Sequence, residues 1–336
     1  MFENKIRLAK PWIPDEALQK LEILFKSGWI SGGSQSKKFA RKIADVEGYK
    51  YGVATNSCTS ALQIALELSK LDEKMVRIPN ITFPSTANAI IATGLTPLIT
   101  NPPFDLGVDL FGLKLGNRNW AVGDCACSLG SIGFKEKPLI SCYSFHARKV
   151  ITTGEGGVLC TDDEEIAEVA IELVGQGSHS GFEYSMRMSD INAVIGLVQL
   201  DFLDDILERR HKVAEWYNSY LPIELDIYGQ KNRKINKNFN YQTMVVVLPL
   251  NLDLFEVHRK LNADGIECNL GTYRLDEMPY YRKYVDLKVE FEKFNYLALP
   301  LYHEIDEKTV KTICNKLRKR IYLETRYSMS QAISCS

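Results

Sequence analysis

The sequence lacks long apolar runs, blocks of like charge and a regular spacing of cysteines. No apolar stretch reaches the ~18 residues that a membrane-spanning helix requires. The 41 Lys and Arg residues nearly balance the 42 Asp and Glu residues, for a formal net charge of -1. Composition therefore offers no electrostatic case for nucleic acid or an anionic membrane, and we expect neither as a partner.

The eight cysteines contain no C-x-x-C pair and no spacing typical of a zinc site or a disulfide framework. We interpret them as reduced, mostly small core residues, and we expect no metal site. The first residues, MFENKIRLAKPWIPDEAL, lack the apolar core of a signal peptide and the Arg/Ser-rich pattern of a transit peptide. A cytoplasmic location is the resulting expectation.

Short apolar runs alternate with helical patterns over the first two thirds of the chain. The runs are YGVAT, MVRIP, TPLIT, NWAVGDC, PLISCYSF and GGVLCT. They predict an α/β fold with a mainly parallel sheet covered on both faces, whose ligands bind beyond the carboxyl ends of the strands. A long helical pattern from about Ser189 to Tyr220 leads into a second, smaller α/β region. We predict a large cofactor-binding domain over residues 1–205 and a small C-terminal domain with a tail over residues 206–336.

Two loops that follow predicted strands carry candidate ligand-binding groups. In TNSCTSAL, the hydroxyls of Ser57 and Thr59 open a helix whose backbone N–H groups suit a phosphate. Asp124 ends the strand WAVGD, where a buried carboxylate calls for a cationic partner. Both features also have an ordinary interpretation, because Ser and Thr are common helix N-caps and Asp is common in caps and turns.

A third loop presents one lysine within SFHARKVITTGEGG. Ser144 ends the strand, and Lys149 follows five residues later, ahead of the glycine-rich turn GEGG. Lysine forms Schiff bases with carbonyl compounds, and burial or a nearby cation can lower its pKa. The ordinary interpretation is a solvated surface lysine. The glycines favour a binding site instead, because they permit positive φ or close backbone approach beside a large ligand.

A phosphate-binding helix start, a carboxylate for a ring nitrogen and a lysine for an aldehyde match three groups of pyridoxal 5'-phosphate. Seven blocks, in order, resemble the DegT/DnrJ/EryC1/StrS family of sugar-nucleotide aminotransferases over most of the chain. They are WISGGSQSKKF, NSCTSALQIAL, PNITFPSTANAIIATG, GDCACSLGS, SFHARKVITTGEGG, MRMSDINAVIGLVQL and NYLALPLY. The signature SF-x-x-x-K-x-I-x-x-GEGG is the most specific of them.

This resemblance implies a fold-type-I transferase that is a homodimer with active sites at the subunit interface. It implies transfer of an amino group from glutamate to a nucleotide-linked keto-deoxy sugar, with pyridoxamine 5'-phosphate as the cofactor's intermediate form. Lys149 corresponds to the family's Schiff-base lysine, Asp124 to the aspartate on the pyridine nitrogen, and Phe83 to the aromatic residue against the ring. The positions that correspond to phosphate contacts are Ser57, Cys58, Thr59 and Ser144.

The chain departs from the family pattern at three places. Cys127 stands where the family has a glutamine near the cofactor's phenolic oxygen, and a thiol is a poorer hydrogen-bond donor. Ser185 stands where an asparagine reaches the partner subunit's phosphate. Between TPLITNPP and NWAVGDC only FDLGVDLFGLKLGNR remains, in place of a helix, a strand and a helix. We expect the large domain to lack one strand–helix unit and the cofactor wall beside it to be more open.

Two other functions fit parts of the sequence. A relative that binds the cofactor without catalysis, and acts through binding or regulation, is supported by Cys127, Ser185 and the short segment, whereas Lys149, Asp124 and TTGEGG favour an enzyme. Nucleotide binding through GGSQSKK or GEGG lacks the GxxxxGK[ST] and post-strand GxGxxG patterns. His146 is interpreted either as structural or as a residue that supports those in contact with the ligand. Candidates for either a substrate pocket or an ordinary aromatic core are Tyr273, Arg274, Tyr280 and Tyr281.

Overall fold

The computed structural model describes residues 5–69, 71, 74–114, 116, 118–133, 136–178 and 181–334. The helices in this part are α1 (Glu16–Ser27), α2 (Ser34–Glu47), α3 (Cys58–Leu68), α4 (Pro84–Ala92), α5 (Glu164–Val174), α6 (Asp190–Leu200), α7 (Leu203–Tyr220), α8 (Leu254–Ala263) and α9 (Glu307–Ser334). The strands are β1 (Tyr51–Thr55), β2 (Met75–Ile78), β3 (Ile81–Thr82), β4 (Thr96–Ile99), β5 (Leu106–Val108), β6 (Val122–Asp124), β7 (Ile140–Ser144), β8 (Gly157–Thr161), β9 (Asp226–Ile227), β10 (Met244–Leu248), β11 (Asn269–Leu270), β12 (Tyr273–Arg274) and β13 (Asn295–Leu299). The long helix predicted from about Ser189 is divided into α6 and α7. None of the described helices is long and apolar enough to cross a membrane.

The larger domain is built on a sheet with strand order β1-β8-β7-β6-β5. Strands β5, β6 and β7 run parallel, whereas β8 is antiparallel to both of its neighbours. The parallel pair β2–β4 continues beyond β5, where the N–H of Asp105 donates to the carbonyl of Arg77 at 3.1 Å. The sheet is therefore mainly parallel, as the alternation of apolar runs and helices predicts.

Strand β8 shows why the strands of this sheet are continuous apolar runs in the sequence. Its successive side chains point to opposite faces of the sheet. Leu159 joins a cluster with α3 and α4, while Val158 and Cys160 join a cluster with α2 and α6. Because helices cover both faces, the strand has no polar face to alternate with the apolar one.

The smaller domain has a core of its own. Its antiparallel sheet has the order β11-β13-β10-β9 and packs with α7, α8 and α9 around a cluster that also takes in Phe111 and Leu113 of the larger domain. Strand β12 pairs with β3, and Ile6 forms a bridge with Ile266, so segments cross between the domains in both directions. The boundary between residues 205 and 206 falls inside α7 and stays a prediction.

The segment between β4 and β6 corrects one expectation. Strand β5 runs parallel to β6, with Leu106 opposite Val122, so the strand that we expected to be lost is retained. What is reduced is its helices: among the described residues of 104–119 the only helical element is a 3-10 turn at Leu110–Gly112. Three strand residues are too few to produce a periodic pattern, so the sequence does not predict β5.

Candidate active site

A cavity of about 750 Å³ lies at the carboxyl ends of β1, β6 and β7. Residues 242–244 and 269–273 of the smaller domain also line it, so the cavity lies between the two domains. The predicted site residues that line it are Ser57, Cys58, Thr59, Phe83, Asp124, Cys127, Ser144 and Lys149. The structure thus brings together all of the predicted site residues except Ser185.

The helix start predicted to bind phosphate opens into this cavity. Ser57 caps α3, and its Oγ accepts a hydrogen bond of 3.1 Å from the N–H of Ser60. Gly157 runs directly against this cap, since a Cβ there would lie 2.5 Å from the carbonyl carbon of Ser57. Gly154 has a φ of 81°, which glycine adopts without strain. The GEGG turn is therefore required for the close approach of β8 to the start of α3.

Asp124, at the end of β6, is buried at 6% exposure. Its Oδ2 accepts a hydrogen bond from Thr86 Oγ1 at 2.7 Å, and its Oδ1 accepts one from the N–H of Ala126 at 3.2 Å. Burial raises the pKa of this carboxyl group, and the hydrogen bonds and the charge of Lys149 offset only part of the effect. No cationic side chain among the described residues forms an ion pair with it, so a cationic group on a ligand would stabilise the carboxylate.

The loop that carries Lys149 is held in shape by backbone hydrogen bonds. The N–H of Lys149 donates to the carbonyl of His146 at 2.9 Å. The N–H of Phe145 donates to the carbonyl of Gly156, and the N–H of Thr153 donates to the carbonyl of Phe145, both at 2.9 Å. These bonds tie the end of β7 to the glycine turn, so the strand and the turn together fix the backbone of the lysine.

The amine of Lys149 contacts a sulfur atom. Its Nζ donates to Cys127 Sγ at 3.1 Å. Burial by itself would lower the pKa of Lys149, but the attraction of Cys127, Cys58 and Asp124 for the ammonium form raises the pKa above its ordinary value. The direction is opposite to the lowered pKa that the sequence analysis considered.

Three further predicted residues differ in their surroundings. Phe83 precedes α4, is 58% exposed and meets the ring of Tyr273 edge-on, with centroids 5.6 Å apart. Ser144 ends β7, and its Oγ accepts a long hydrogen bond of 3.4 Å from the N–H of His146. Ser185 does not line the cavity. Its role toward a partner subunit therefore stays a prediction.

Of the four candidate residues in the aromatic stretch GTYRLDEMPYY, one lines the cavity. Tyr273 lines it, whereas the guanidinium of Arg274 is paired with Asp276 at 2.8 Å. Tyr281 is 5% exposed and belongs to the core of the larger domain, and Tyr280 is 56% exposed against its ring. The core interpretation holds for Tyr281, whereas a role of Tyr273 in a substrate pocket stays a prediction.

Two hydroxyl groups beneath Asp124 were missed in the sequence. Thr82 Oγ1 and Thr86 Oγ1 are fully buried and lie 2.7 Å apart, and Thr86 in turn donates to Asp124. A local signal was available for Thr86, which lies one helical turn after Phe83 and so faces the same side. His146, interpreted either as structural or as supporting the residues in contact with the ligand, also lines the cavity, and its Nε2 lies 3.7 Å from a carboxylate oxygen of Glu155.

These groups fit pyridoxal 5'-phosphate on structural grounds. The start of α3 leaves N–H groups without intrahelical partners at the cavity, which suits a phosphate. Asp124 supplies a buried carboxylate without an ion-pair partner in the described chain, which suits a protonated ring nitrogen. Lys149 supplies an amine at the cavity wall, which suits an aldehyde.

Comparison with known proteins gives the same assignment. The model of the DegT/DnrJ/EryC1/StrS aminotransferase family matches residues 11–103 and 120–318. The chain is 29% identical over 373 residues to the spore coat polysaccharide biosynthesis protein SpsC of Bacillus subtilis (strain 168). This alignment covers 92% of this chain and 95% of SpsC. It is 28% identical over 342 residues to GDP-perosamine synthase of Escherichia coli O157:H7, and this alignment covers 87% of this chain and 92% of the synthase.

The fold has counterparts among solved structures. The crystal structure of DesI with its TDP-sugar product matches with a TM-score of 0.82 and 22% identity, covering 100% of this chain and 97% of DesI. This likeness confirms the predicted fold class. Members of the matched family depend on pyridoxal phosphate, and a sugar aminotransferase of similar fold has been solved in both its PLP and PMP forms.

The family match takes in every predicted site residue, and the internal stretch that it leaves out, residues 104–119, is the segment whose helices are reduced. The cavity is lined by groups that fit the family's cofactor. The chain therefore belongs to the DegT/DnrJ/EryC1/StrS aminotransferase family and is a pyridoxal-phosphate-dependent enzyme.

Proposed function

We propose that this enzyme transfers the amino group of glutamate to a nucleotide-linked keto-deoxy sugar and so produces an amino sugar nucleotide. The observation that carries the proposal is the convergence of Asp124 and Lys149 on one cavity between the two domains. Two similar proteins support the substrate class, since one is named GDP-perosamine synthase and the other was solved with a TDP-sugar product. Their nucleotides differ, so the support extends to nucleotide sugars as a class.

The cofactor, when bound, supplies an aldehyde that condenses with amines and a ring that accepts the electrons of a broken Cα–H bond. Ser57, Cys58 and Thr59 would hold its phosphate through the N–H and hydroxyl groups at the start of α3. Phe83 would lie along one face of the ring, where its exposed side chain has room for a flat partner.

Asp124 contributes charge rather than proton transfer. A buried carboxylate favours a proton on the nitrogen that faces it, because opposite charges attract strongly where water is excluded. Thr86 and Ala126 each donate to one of its oxygens, so both oxygens are fixed in place. Asp124 is therefore required although it moves no proton itself.

Lys149 contributes the proton transfer. Its neutral amine would take the proton from the substrate's Cα, and its ammonium form would give a proton to C4', the aldehyde carbon of the bound cofactor. Because the pKa of Lys149 is raised, the amine must first give up a proton before it reacts with a carbonyl. The sulfur of Cys127, within hydrogen-bond distance of Nζ, stabilises the ammonium form and orients it.

We also propose a homodimer whose second copy completes the cavity. Large aromatic side chains are left exposed: Trp29 at 68%, Phe182 at 73% and Phe83 at 58%. Exposed apolar groups of this size are typical of contact surfaces. Ser185, predicted to reach the partner's cofactor, is close in sequence to Phe182. Sedimentation of a monomer at micromolar concentration would contradict this arrangement.

The cytoplasmic location stays a prediction.

A single-turnover experiment tests the reaction. The protein, loaded with pyridoxal phosphate, is mixed with glutamate in the absence of a sugar. We expect the Lys149-dependent visible absorption band to disappear and 2-oxoglutarate to form in stoichiometric amount. A nucleotide-linked keto sugar should then restore the band and yield an amino sugar nucleotide. A band that glutamate leaves unchanged would favour the cofactor-binding protein without catalytic activity.

A further inference from the structure

A short segment ahead of β10, Asn240–Gln242, reaches the turn that follows Asp124. Asn240 is 1% exposed, and its Nδ2 donates to the carbonyls of Cys127 at 2.8 Å and Leu129 at 2.9 Å. Its Oδ1 accepts from the N–H of Gln242 at 2.8 Å. The amide has one favourable orientation, because the reversed group would place an oxygen against two carbonyl oxygens.

The same segment reaches the lysine loop. The Nε2 of Gln242 donates to the carbonyl of Arg148 at 3.1 Å, and Arg148 directly precedes Lys149. The Nζ of Lys149 meets the sulfur of Cys127, whose carbonyl is held by Asn240. One segment of the smaller domain therefore holds the backbone at Cys127 and at the residue before Lys149.

Arg210 of α7 anchors this segment. It is 7% exposed, and its guanidinium donates to the carbonyls of Asn240 at 3.1 Å, Tyr241 at 2.8 Å and Gln242 at 2.7 Å. It forms no ion pair within the described chain, and burial lowers its pKa to about 10. A buried cation is costly unless its donors are satisfied, and here consecutive carbonyls of one segment satisfy them.

The segment also fits against the larger domain in a single register. The N–H of Asn240 donates to Ser131 Oγ at 3.0 Å, and this hydroxyl donates to the carbonyl of Gly112 at 2.6 Å. A Cβ at Gly112 would lie 2.3 Å from the Oδ1 of Asn240. A shift of the segment would therefore cost hydrogen bonds on both sides.

We propose that Asn240 is a positioning residue that sets the place of Cys127 relative to Lys149, and that it transmits the position of the smaller domain to the catalytic amine. The inference rests on the proposed role of Lys149. Its test does not require turnover, so it can fail while the proposed reaction stands.

The test compares Asn240→Asp with Asn295→Asp. Asn295 is a matched control, because its Nδ2 also donates to two carbonyls, those of Pro249 at 3.0 Å and Leu252 at 3.1 Å, and it does not line the cavity. The alkylation rate of Cys127 in the cofactor-free protein is measured by peptide mass spectrometry, with Cys58 of the same cavity as internal reference. We expect the Cys127-to-Cys58 ratio to change about tenfold in Asn240→Asp and to stay unchanged in Asn295→Asp.

A second readout is the pH at which the visible band of the loaded, substrate-free protein titrates. It should shift in Asn240→Asp and not in Asn295→Asp. A purely structural role for Asn240 would lower the thermal midpoint while both readouts stayed at their original values, and that result would overturn the proposal.

A milder variant covers the case in which Asn240→Asp fails to fold. Gln242→Leu leaves the amide of Asn240 in place and removes the donation to Arg148, the weak contact of 3.4 Å to Thr243 and a polar group of the cavity lining. It should shift the titration of the band in the same direction but by less. An unchanged titration in a folded Gln242→Leu protein would equally overturn the proposal.

Discussion

The cavity has two sides that are built in different ways. Its floor consists of the start of α3, Asp124 and the Lys149 loop, and it lies in the part of the chain that the family model matches. Its wall consists of residues 108–111, which line the cavity, together with the other described residues of the segment 104–119, which the family model does not match. The floor relies on backbone geometry and single functional groups, whereas the wall relies on buried ion pairs and one aromatic side chain.

The wall is held by two ion pairs with little exposure. The guanidinium of Arg118 donates to both oxygens of Asp109, at 2.9 and 2.6 Å, and Lys114 pairs with Glu47 at 2.6 Å. Burial alone would lower the pKa of Arg118, but the neighbouring Cys125 and Asp109 raise it, so the guanidinium stays charged. These pairs support a strand that lacks the flanking helices implied by the family resemblance.

Phe111 closes the wall against the smaller domain. It is 4% exposed and packs edge-on against the rings of Tyr228 and Tyr296, with centroids 4.9 and 5.6 Å away. Its φ of 58° is unusual for a bulky residue, and the packing must offset a strain of about 1 kcal/mol. Phe111 and the buried ion pairs therefore occupy this side of the cavity, and the expectation of a wall more open than in the family stays a prediction.

The comparison shows that the two sides answer to different requirements. The floor must present particular chemical groups to the cofactor, which few residue types can do. The wall must only support β5 and exclude water, and several arrangements achieve that. Changes in the floor should therefore mainly reduce activity, and changes in the wall should mainly reduce stability.

The largest expected effect is that of Lys149→Ala in the floor. Loss of its proton transfer should slow the glutamate half-reaction by about 10⁴-fold and abolish the lysine-dependent absorption band. Stopped-flow absorbance measures both effects. Lys137→Ala is the control, because Lys137 pairs with Asp162 at 2.7 Å and does not line the cavity. A normal half-reaction in Lys149→Ala would remove the basis of the proposed mechanism.

Arg118→Met in the wall should lower the free energy of unfolding by about 3–5 kcal/mol, because Asp109 is then left buried without its partner. Urea unfolding measures the loss, which an added Asp109→Leu change should partly restore. Lys42→Met is the control, since Lys42 pairs with Asp201 at the surface and should cost less than about 1 kcal/mol. Equal losses of unfolding free energy in Arg118→Met and Lys42→Met would show that the buried Arg118–Asp109 pair does not stabilise the wall.

Thr86→Val tests whether part of the floor serves both activity and stability. It removes the hydroxyl that donates to Asp124 and should cost about 1–3 kcal/mol of stability, with an about tenfold slower glutamate half-reaction. Thr82→Val is the matched control, because Thr82 contacts Thr86 but not Asp124. Equal rates for the two variants would show that Thr86 does not act through Asp124.

The smallest expected effect concerns pH and Asp105, at the start of the wall. Burial works against the charge of Asp105, but hydrogen bonds from Arg77 prevail and lower its pKa. A carboxyl group whose pKa is lower in the folded state stabilises the fold above its unfolded pKa of about 4, and the stabilisation is lost as the pH falls through the folded pKa.

Asp105→Asn should therefore lower the free energy of unfolding at neutral pH by less than about 1 kcal/mol, because the pair is partly exposed. The difference from the unsubstituted protein should vanish in strong acid. Urea unfolding across the acid range measures it. A difference that persists below the folded pKa would show that the effect of Asp105 is not electrostatic.

Some of this molecule follows from local sequence. The strands around YGVAT and PLISCYSF were predictable because each is a continuous apolar run between helical patterns. The lysine loop was predictable because GEGG supplies the positive φ of Gly154 and the absence of a Cβ at Gly157, where β8 meets the start of α3. Both predictions depend on residues that lie within a few positions of each other in the sequence.

Other features could not be predicted from sequence. Strand β5 has only three residues, and the pairing of Arg118 with Asp109 depends on a turn that has no regular pattern. Asn240 gives no local sign of its role, since the carbonyls that it binds belong to residues more than 100 positions earlier. The raised pKa of Lys149 likewise depends on Cys127, which meets it only across the cavity.

The sequence by itself determined the alternation of strands and helices, the convergence of Ser57, Asp124 and Lys149 at one sheet edge, and the family. Local periodicity and the chemistry of single residues depend only on residues that are close together in the sequence. Only the tertiary structure decided that Phe111 packs against the smaller domain, that Cys127 faces Lys149 and that Asn240 holds the turn that carries Cys127. These contacts join distant segments, and their geometry arises only when the two domains pack against each other.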